Sequence, residues 1–519
     1  MGKCSFLRQK KQVQINGEWV DTRSYRYLPY CDVIKQGITI KNGPPKGEVK
    51  IFFKDEKKYE LVFENGESIY LDENGYGHIE IKGNKLLDGI WMGDNLAYPS
   101  CEVEVKDCDV HYIRMTGMGK VNFSCSRLIT DNQHHVGQEV IVNEITFNSF
   151  DTSKATYMGM MFCAYTSIKS LDVSSFNTSN VTIMVGMFEG CYSLTSLDVS
   201  SFDTSKVTNM SSMFCDCSSL TSLDVSNFNT SKVIYMNHMF ESCASLTSLD
   251  VSNFNTSKVT SMRAMFRLCS KLTSLDLRNF DTSKVTSMQQ MFDGCSSLTS
   301  IDISSFDTSN VSGDSAMNSM FEGCSSLKSI DVSKFNTSKC RFIFEMFRNC
   351  SSLTSIDVSS FDTGHATHMY GMFEGCSSLK SIDISNFNTI SAIHMNRMFK
   401  NCSSLTSITI DTSNFYTSSL YSFDEMFSGC SSLVSLDLSG LYISDEVHTG
   451  ENLFSGCSSL EFLDLSRLYL GVHNYKNMFN GCSKLKTIRM VGCAEIIVNK
   501  IKSELTSAGI QDQVTIITE

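Results

Sequence analysis

The chain has 519 residues with 44 Lys+Arg against 56 Asp+Glu, and a net charge of −12 argues against a nucleic-acid binder held by general electrostatics. Residues 1–140 carry 19 basic and 20 acidic residues, net −1, so the other 379 carry 25 and 36, net −11. All four prolines and both tryptophans lie in the first hundred residues, and no apolar stretch reaches the roughly 18 residues of a membrane span, which leaves a mixed head joined to a long acidic array.

Residues 1–44 are rich in Lys, Arg and aromatic residues, as in SYRYLPYCD, and read as a basic arm or docking segment for an acidic assembly partner. No run of seven or more apolar residues follows the basic start, so no signal peptide is expected, and Phe6 stands where a myristoylation motif wants Ser or Thr. A virion-associated or cytoplasmic location follows, with cell-surface display only by a non-classical route. The segment GEWVDTRSYRYLPYC resembles the opening of gut bacteriophage tail proteins, and that resemblance implies a structural component of a virion tail with the array as spacer or decoration.

Residues 45–130 alternate apolar and polar residues in EVKIFF, KYELVF, SIYLD, HIEIKG, CEVEV and KVNFSCS, separated by turn pairs such as Asn65-Gly66 and Asn74-Gly75. This grammar predicts a small antiparallel β domain.

From about residue 140 the sequence repeats. Taking the Cys after Met-Phe as phase mark, with Tyr165 in the first slot, the marks run through Cys191, Cys217, Cys243, Cys269, Cys295, Cys324, Cys350, Cys376, Cys402, Cys430, Cys457 and Cys482. The steps are 26 residues except for 29 at Cys324 and 28, 27 and 25 at the end, a solenoid signature over thirteen units. Within one unit, Leu194, Leu197, Val199 and Phe202 have the L-x-x-L-x-L spacing of a short half-buried strand. Val207, Met210, Met213 and Phe214 follow at spacings of three, three and one, which predicts a short helix, with Asp203, Thr204 and Ser205 supplying oxygens for its free N–H groups. About nine apolar residues per unit would then form a continuous core.

The wording SLxSLDVSxFDTSKVxxMxxMFxxC resembles the BspA-like, mycoplasma-lipoprotein type of leucine-rich repeat found in bacterial surface proteins, over roughly 140–490. The fold expected is therefore α/β: a right-handed leucine-rich-repeat solenoid of about thirteen 26-residue units at 140–490, after the β domain. The resemblance implies attachment or protein binding and no enzyme activity. Residues 491–519 (KIKSELTSAGIQDQVTIITE at their end) read as a helix and final strand capping the open core.

No catalytic site is legible: H-E-x-x-H, Walker, G-x-S-x-G and Cys-x-x-Cys patterns are missing, His365 and His368 form a lone pair, and Cys215 and Cys217 have no His close by. No cofactor is expected. Twelve cysteines at one phase form a column of buried small hydrophobes, and so many thiols suit a reducing compartment. The Met-x-x-Met-Phe columns read as core, and Asn-x-Ser/Thr triplets such as Asn177-Thr178-Ser179 fall in turns.

Two surface columns are candidate sites. Asp198, Asp224, Asp250 and Asp276, with their equivalents, share an outward strand slot; hydrogen bonding to flanking serines is the expected relief of their repulsion, and weak Ca²⁺ binding is the alternative. Central units repeat the same Ser, Asp and Thr, but three late units place Tyr416, Tyr442 and Tyr469 where earlier ones have Asp or Asn. These rings, with Tyr421 and Arg467 near their edge, are the candidate recognition site for a protein or glycan.

Overall fold

The computed structural model describes residues 150–519 other than 315, 416–419, 444–449 and 471–474. Ahead of residue 150 it describes strand backbones, with side chains only at 145–147, and at 442–443 and 469–470 it again describes backbone alone. Apart from short strand backbones, the expected N-terminal arm therefore lies outside the described residues. Two compact units divide the chain, Met1–Phe254 and Asn255–Glu519. Thirteen phase marks give about thirteen turns of a β-solenoid between them.

The first unit contains a five-stranded mixed sheet. Strand β1 (Gly47–Phe53) pairs antiparallel with β2 (Gly77–Gly83) and with β3 (Cys101–Lys106). From there the direction changes: β4 (Gly119–Ser124) runs parallel to β3, and β5 (Glu144–Asn148) parallel to β4 with Lys120 opposite Glu144. The expected antiparallel domain is thus antiparallel only over its first strands. Alternation of apolar and polar residues marks a strand without fixing the direction of its neighbour, so the sequence pattern was silent on the change.

Parallel pairing continues in the repeats. Strands β6 (Ser170–Leu171) and β7 (Ser196–Leu197) pair Leu171 with Leu197, one 26-residue period apart. In the rung from Leu194 to Cys217 all nine inward residues are buried: Leu194, Leu197, Val199, Phe202, Val207, Met210, Met213, Phe214 and Cys217. Side chains of successive rungs stack on their equivalents. Phe162, Phe188, Phe214 and Phe240 lie face to face, with centroids 5.6, 5.6 and 5.7 Å apart and interplanar angles of 11°, 6° and 6°.

The segment expected to be helical is a chain of tight turns. Its apolar residues are buried, but Ser212 and Asp216 have φ of 55° and 60°, and a left-handed residue at every fourth position is incompatible with an α-helix. The backbone finds its partners in the next rung instead. The N–H groups of Met210, Ser212, Phe214 and Asp216 donate to the carbonyls of Tyr235, Asn237, Met239 and Glu241 at 3.0, 2.9, 2.9 and 2.8 Å. So short a segment gains little from a helical nucleus, and stacking satisfies every second N–H. Rungs with Gly at these positions, such as Gly371 and Gly375, adopt the same conformation without a Cβ penalty.

Polar residues of the repeat are committed to the backbone. Asp203 accepts the Ser205 N–H at 2.9 Å in an Asx turn, while buried Thr204 bonds to the next rung. Cysteines of the column donate the S–H to a Phe carbonyl, as Cys217 does to Phe188 and Cys243 to Phe214 at 3.2 Å each, and all described cysteines are free thiols.

The second unit repeats this plan. Strands β8 (Ser381–Asp383) and β9 (Ser407–Thr409) pair in parallel, and β10 (Ser435–Asp437) begins a four-stranded parallel sheet. Next to it, β11 (Tyr442–Ile443) is followed by β12 (Phe462–Asp464), β13 (Tyr469–Leu470) and β14 (Thr487–Arg489). Helix α1 (Glu495–Ser507) then buries Ile497, Val498, Ile501 and Leu505, and β15 (Thr515–Ile517) pairs parallel with β14, so that the order is β10-β12-β14-β15. Among the described residues, no helix is long and apolar enough to cross a membrane.

Candidate functional site

Strands β11 and β13 bring two of the sequence-predicted tyrosines into register: Tyr442 is the parallel partner of Tyr469. Tyr416 lies outside the described residues. Tyr421 is 49% exposed, on the turn segment of its rung, where its N–H donates to the Ile393 carbonyl at 2.8 Å. Arg467 is exposed with φ of 57°, and its N–H donates to the Val491 carbonyl at 2.8 Å.

Aspartates of the strand slot each bond within their own rung. The carboxylates of Asp198, Asp224 and Asp250 accept the N–H groups of Ser200, Ser226 and Ser252, all at 2.9 Å. In the second unit Asp276 takes two guanidinium bonds from Arg278, at 2.9 and 2.7 Å. Hydrogen bonds from Ser200 hold the Asp198 carboxyl below the usual range, and those from Arg278 bring Asp276 to about 2. Among the described residues, no group of three His, Cys, Asp or Glu comes together to hold a metal ion.

One cluster escaped a reading by sequence neighbourhood. Cys215 lacks a nearby His in sequence, yet its Sγ is 4.0 Å from Glu241 Oε2, and that carboxylate also bonds His238 Nδ1. A separation of 26 residues is one rung, so Cys215 and Glu241 are neighbours. The chemistry is not that of a nucleophile: burial, followed by the charges of Asp216, Glu241 and Glu189, pushes the Cys215 thiol far up and keeps it protonated.

The second unit carries a ribbon of rings that the sequence reading missed. The residue preceding the first inward Met or Ile of each turn segment is Ser261, Ser287, Ala316, Phe342, His368 and His394 in successive rungs, and Phe342, His368 and His394 are parallel partners. Phe342 and His368 have ring centroids 4.4 Å apart, His368 and His394 4.9 Å, and His394 and Tyr421 5.7 Å. Two residues further along, Phe344 stacks on Tyr370 at 4.5 Å and 11°. These rings are half-buried, and Tyr421 is exposed at the end.

Ionisation in the ribbon favours neutral forms. Burial, then His394 and Arg341, holds His368 below the usual imidazole range, and burial does the same for His394. Burial, reinforced by Glu345 and Glu322, raises the Tyr370 phenol to about 12. The charges at its border are paired: Arg341 with Asp314 at 3.0 Å, Arg348 with Glu345 at 2.8 Å, and Arg397 and Lys400 with Glu425 at 2.7 Å each. The arrangement combines apolar ring carbons with neutral donors and acceptors. His365, the other half of the expected histidine pair, is exposed on a turn and is not in the ribbon.

No curated protein matches the chain. Among solved structures, it is similar to a chain of the Toll–Spatzle complex of Drosophila, in its glycosylated form, at 12% identity and a TM-score of 0.20. That similarity covers 78% of this chain and 54% of the other, so the chain spans about half the length of that structure's chain. A family model described as "Mycoplasma protein of unknown function, DUF285" matches six overlapping segments, 131–249, 195–276, 220–329, 269–381, 315–435 and 379–490. Those segments cover the whole repeat array and well over half of the sequence, and the chain belongs to this family of repeat proteins.

Proposed function

We propose that the protein is a non-catalytic binding or adhesion protein, in which a rigid stack of rungs displays side chains to a protein or glycan. The observation that carries this reading is the division of labour within the rung. Consensus Thr, Asp, Ser and Cys side chains are consumed in holding backbone groups, as with Thr204, Asp203 and Cys217, whereas exposed rings such as Tyr192, Tyr235 and Tyr421 stand outside that network of consensus side chains. The catalytic alternative is poorly served: the thiol nearest a histidine, Cys215, is held protonated among carboxylates.

Tyr416, Tyr442 and Tyr469 are proposed as one contact site, with Tyr421 and Arg467 beside it. The register of Tyr442 with Tyr469 supports this reading, because neighbouring rungs then present equivalent residues side by side. Attachment of the full chain to immobilised host-matrix proteins and to a glycan panel is the test. Replacing the three tyrosines by Ser should abolish attachment without moving the melting temperature. Undiminished attachment by that variant would place the site elsewhere.

A further inference from the structure

We propose that the ribbon from Phe342 to Tyr421 binds an uncharged polysaccharide, its sugar rings lying along successive rungs. The proposal rests on the binding reading above and adds the ligand's chemical class and a second surface.

Three observations lead to this class. First, Phe342, His368 and His394 repeat in one slot with centroid separations of 4.4 and 4.9 Å, and Tyr421, one residue before Ser422 of that slot, extends the row at 5.7 Å. A surface that repeats itself discriminates poorly among irregular partners, but it suits a ligand that is itself a chain of identical units. Second, the rings are inclined to one another by 60°, 50° and 63° and combine apolar ring carbons with imidazole nitrogens and a phenol hydroxyl, a mixture that matches the C–H groups and hydroxyls of a sugar ring. Third, the described border cations Arg341, Arg348, Arg397 and Lys400 each have a carboxylate partner. Recognition of phosphate, sulfate or carboxylate groups depends on such cations being available, so an anionic polymer gains nothing here and meets an acidic chain.

The slot supplies its own conservative replacement. Ser261 and Ser287 occupy in other rungs the place that His368 and His394 take in the ribbon. Ser211 holds the place of Tyr370 in a rung of the first unit, so changing His368, Tyr370 and His394 to Ser removes the rings in a manner the rung already accommodates.

The test is calorimetric titration of the full chain with cellohexaose, laminarihexaose, mannohexaose and chitohexaose, with heparin and polygalacturonate as anionic controls. At least one neutral hexasaccharide should bind, and the triple Ser variant should weaken it by about tenfold or more, given the worth of individual ring contacts. High salt should leave the neutral interaction unchanged. Tyr421→Ser, at the exposed end, should weaken it by a smaller factor and serves if the triple variant folds poorly. The proposal is overturned by failure of all four neutral probes, by binding of the anionic probes alone, or by full affinity in both variants. Failure here with attachment still lost on replacing Tyr416, Tyr442 and Tyr469 would overturn the ribbon and leave the binding function standing; a protein ligand bound through the ribbon would do the same.

Discussion

Thr204 and Asn229 exchange two hydrogen bonds across a rung boundary: the Thr204 hydroxyl donates to the Asn229 carbonyl at 3.1 Å and accepts the Asn229 N–H at 2.7 Å. One buried side chain thereby satisfies both polar groups of a backbone unit 25 residues away. Thr363 and Asn388 repeat the pair in the second unit, at 2.9 and 2.8 Å. Thr204→Val keeps the shape and removes the hydroxyl, so it strands a donor and an acceptor and should cost about 1–3 kcal/mol. Thr204→Ser should recover most of that. Urea unfolding of the three proteins checks the order.

Aromatic stacking gives a larger effect. Phe240 is fully buried, with its ring 5.7 Å from Phe214 at 6° and 6.4 Å from Phe254. Its replacement by Ala should cost about 3–5 kcal/mol, because flanking rungs are held by their own stacks and cannot collapse into the void. Hydrogen exchange should show the loss of protection centred on the neighbouring rungs, as expected where each rung touches only the next. Protection lost evenly over the whole chain would contradict this.

How far the molecule was legible from its sequence follows from which forces are periodic. Burial is, and the nine inward residues from Leu194 to Cys217 could be named from spacing alone. Backbone conformation was not. The spacing of Val207, Met210, Met213 and Phe214 fits a helix and fits turns equally, and what decides between them is Ser212 and Asp216 in left-handed conformation with their N–H groups bonded to the next rung. Such residues carry no signature that Gly would have given. The ribbon was hidden for a different reason. His368 and His394 are 26 residues apart, and only alignment of the units column by column, rather than a search for motifs along the chain, brings them together with Phe342, while Tyr421 stands one residue before Ser422 of that column.

Buried thiols make stability depend on alkaline pH. Burial pushes the Cys191, Cys376 and Cys430 thiols from 9.0 up to about 12, and Cys324 and Cys350 well above their ordinary value. A folded-state pKa raised above the unfolded one means that the folded chain holds these protons longer. The contribution is complete below pH 9 and is lost as pH rises from 9 toward 12. The melting temperature should fall steeply over that window, and replacing Cys191, Cys376 and Cys430 by Ala should flatten the fall. Peptide-resolved alkylation at neutral pH should label Cys163 and Cys493, which are only half-buried, before any of the column. Early labelling of Cys324 or Cys350 would contradict the packing.

Asp172, Asp198 and Asp224 stand in one column of the strand slot, where calcium would have to bind. Like charges repeated along a strand slot would gain from a divalent cation if their oxygens faced one another unoccupied. Instead one oxygen of Asp198 is engaged by the Ser200 N–H at 2.9 Å, and Asp172 takes both the N–H and the hydroxyl of Ser174, at 3.0 and 2.6 Å. Those bonds, not a cation, lower the carboxyl pKa, with repulsion between Asp198 and its neighbours Asp172 and Asp224 a smaller opposing effect. Two consequences follow. Asp198→Asn retains an acceptor for the Asx turn and relieves repulsion, so it should leave the melting temperature at neutral pH unchanged or slightly higher, whereas Asp198→Ala removes the acceptor and should lower it. The carboxyl pKa is depressed in the folded chain, so its contribution is present above the unfolded value of 3.8 and is lost as pH falls through the lower folded value; Asn at this site should blunt the acid sensitivity. Millimolar calcium or chelator should not move the melting temperature of the wild-type chain at pH 7. A calcium-dependent rise that disappears in Asp198→Asn or Asp224→Asn would show that the column binds the cation after all.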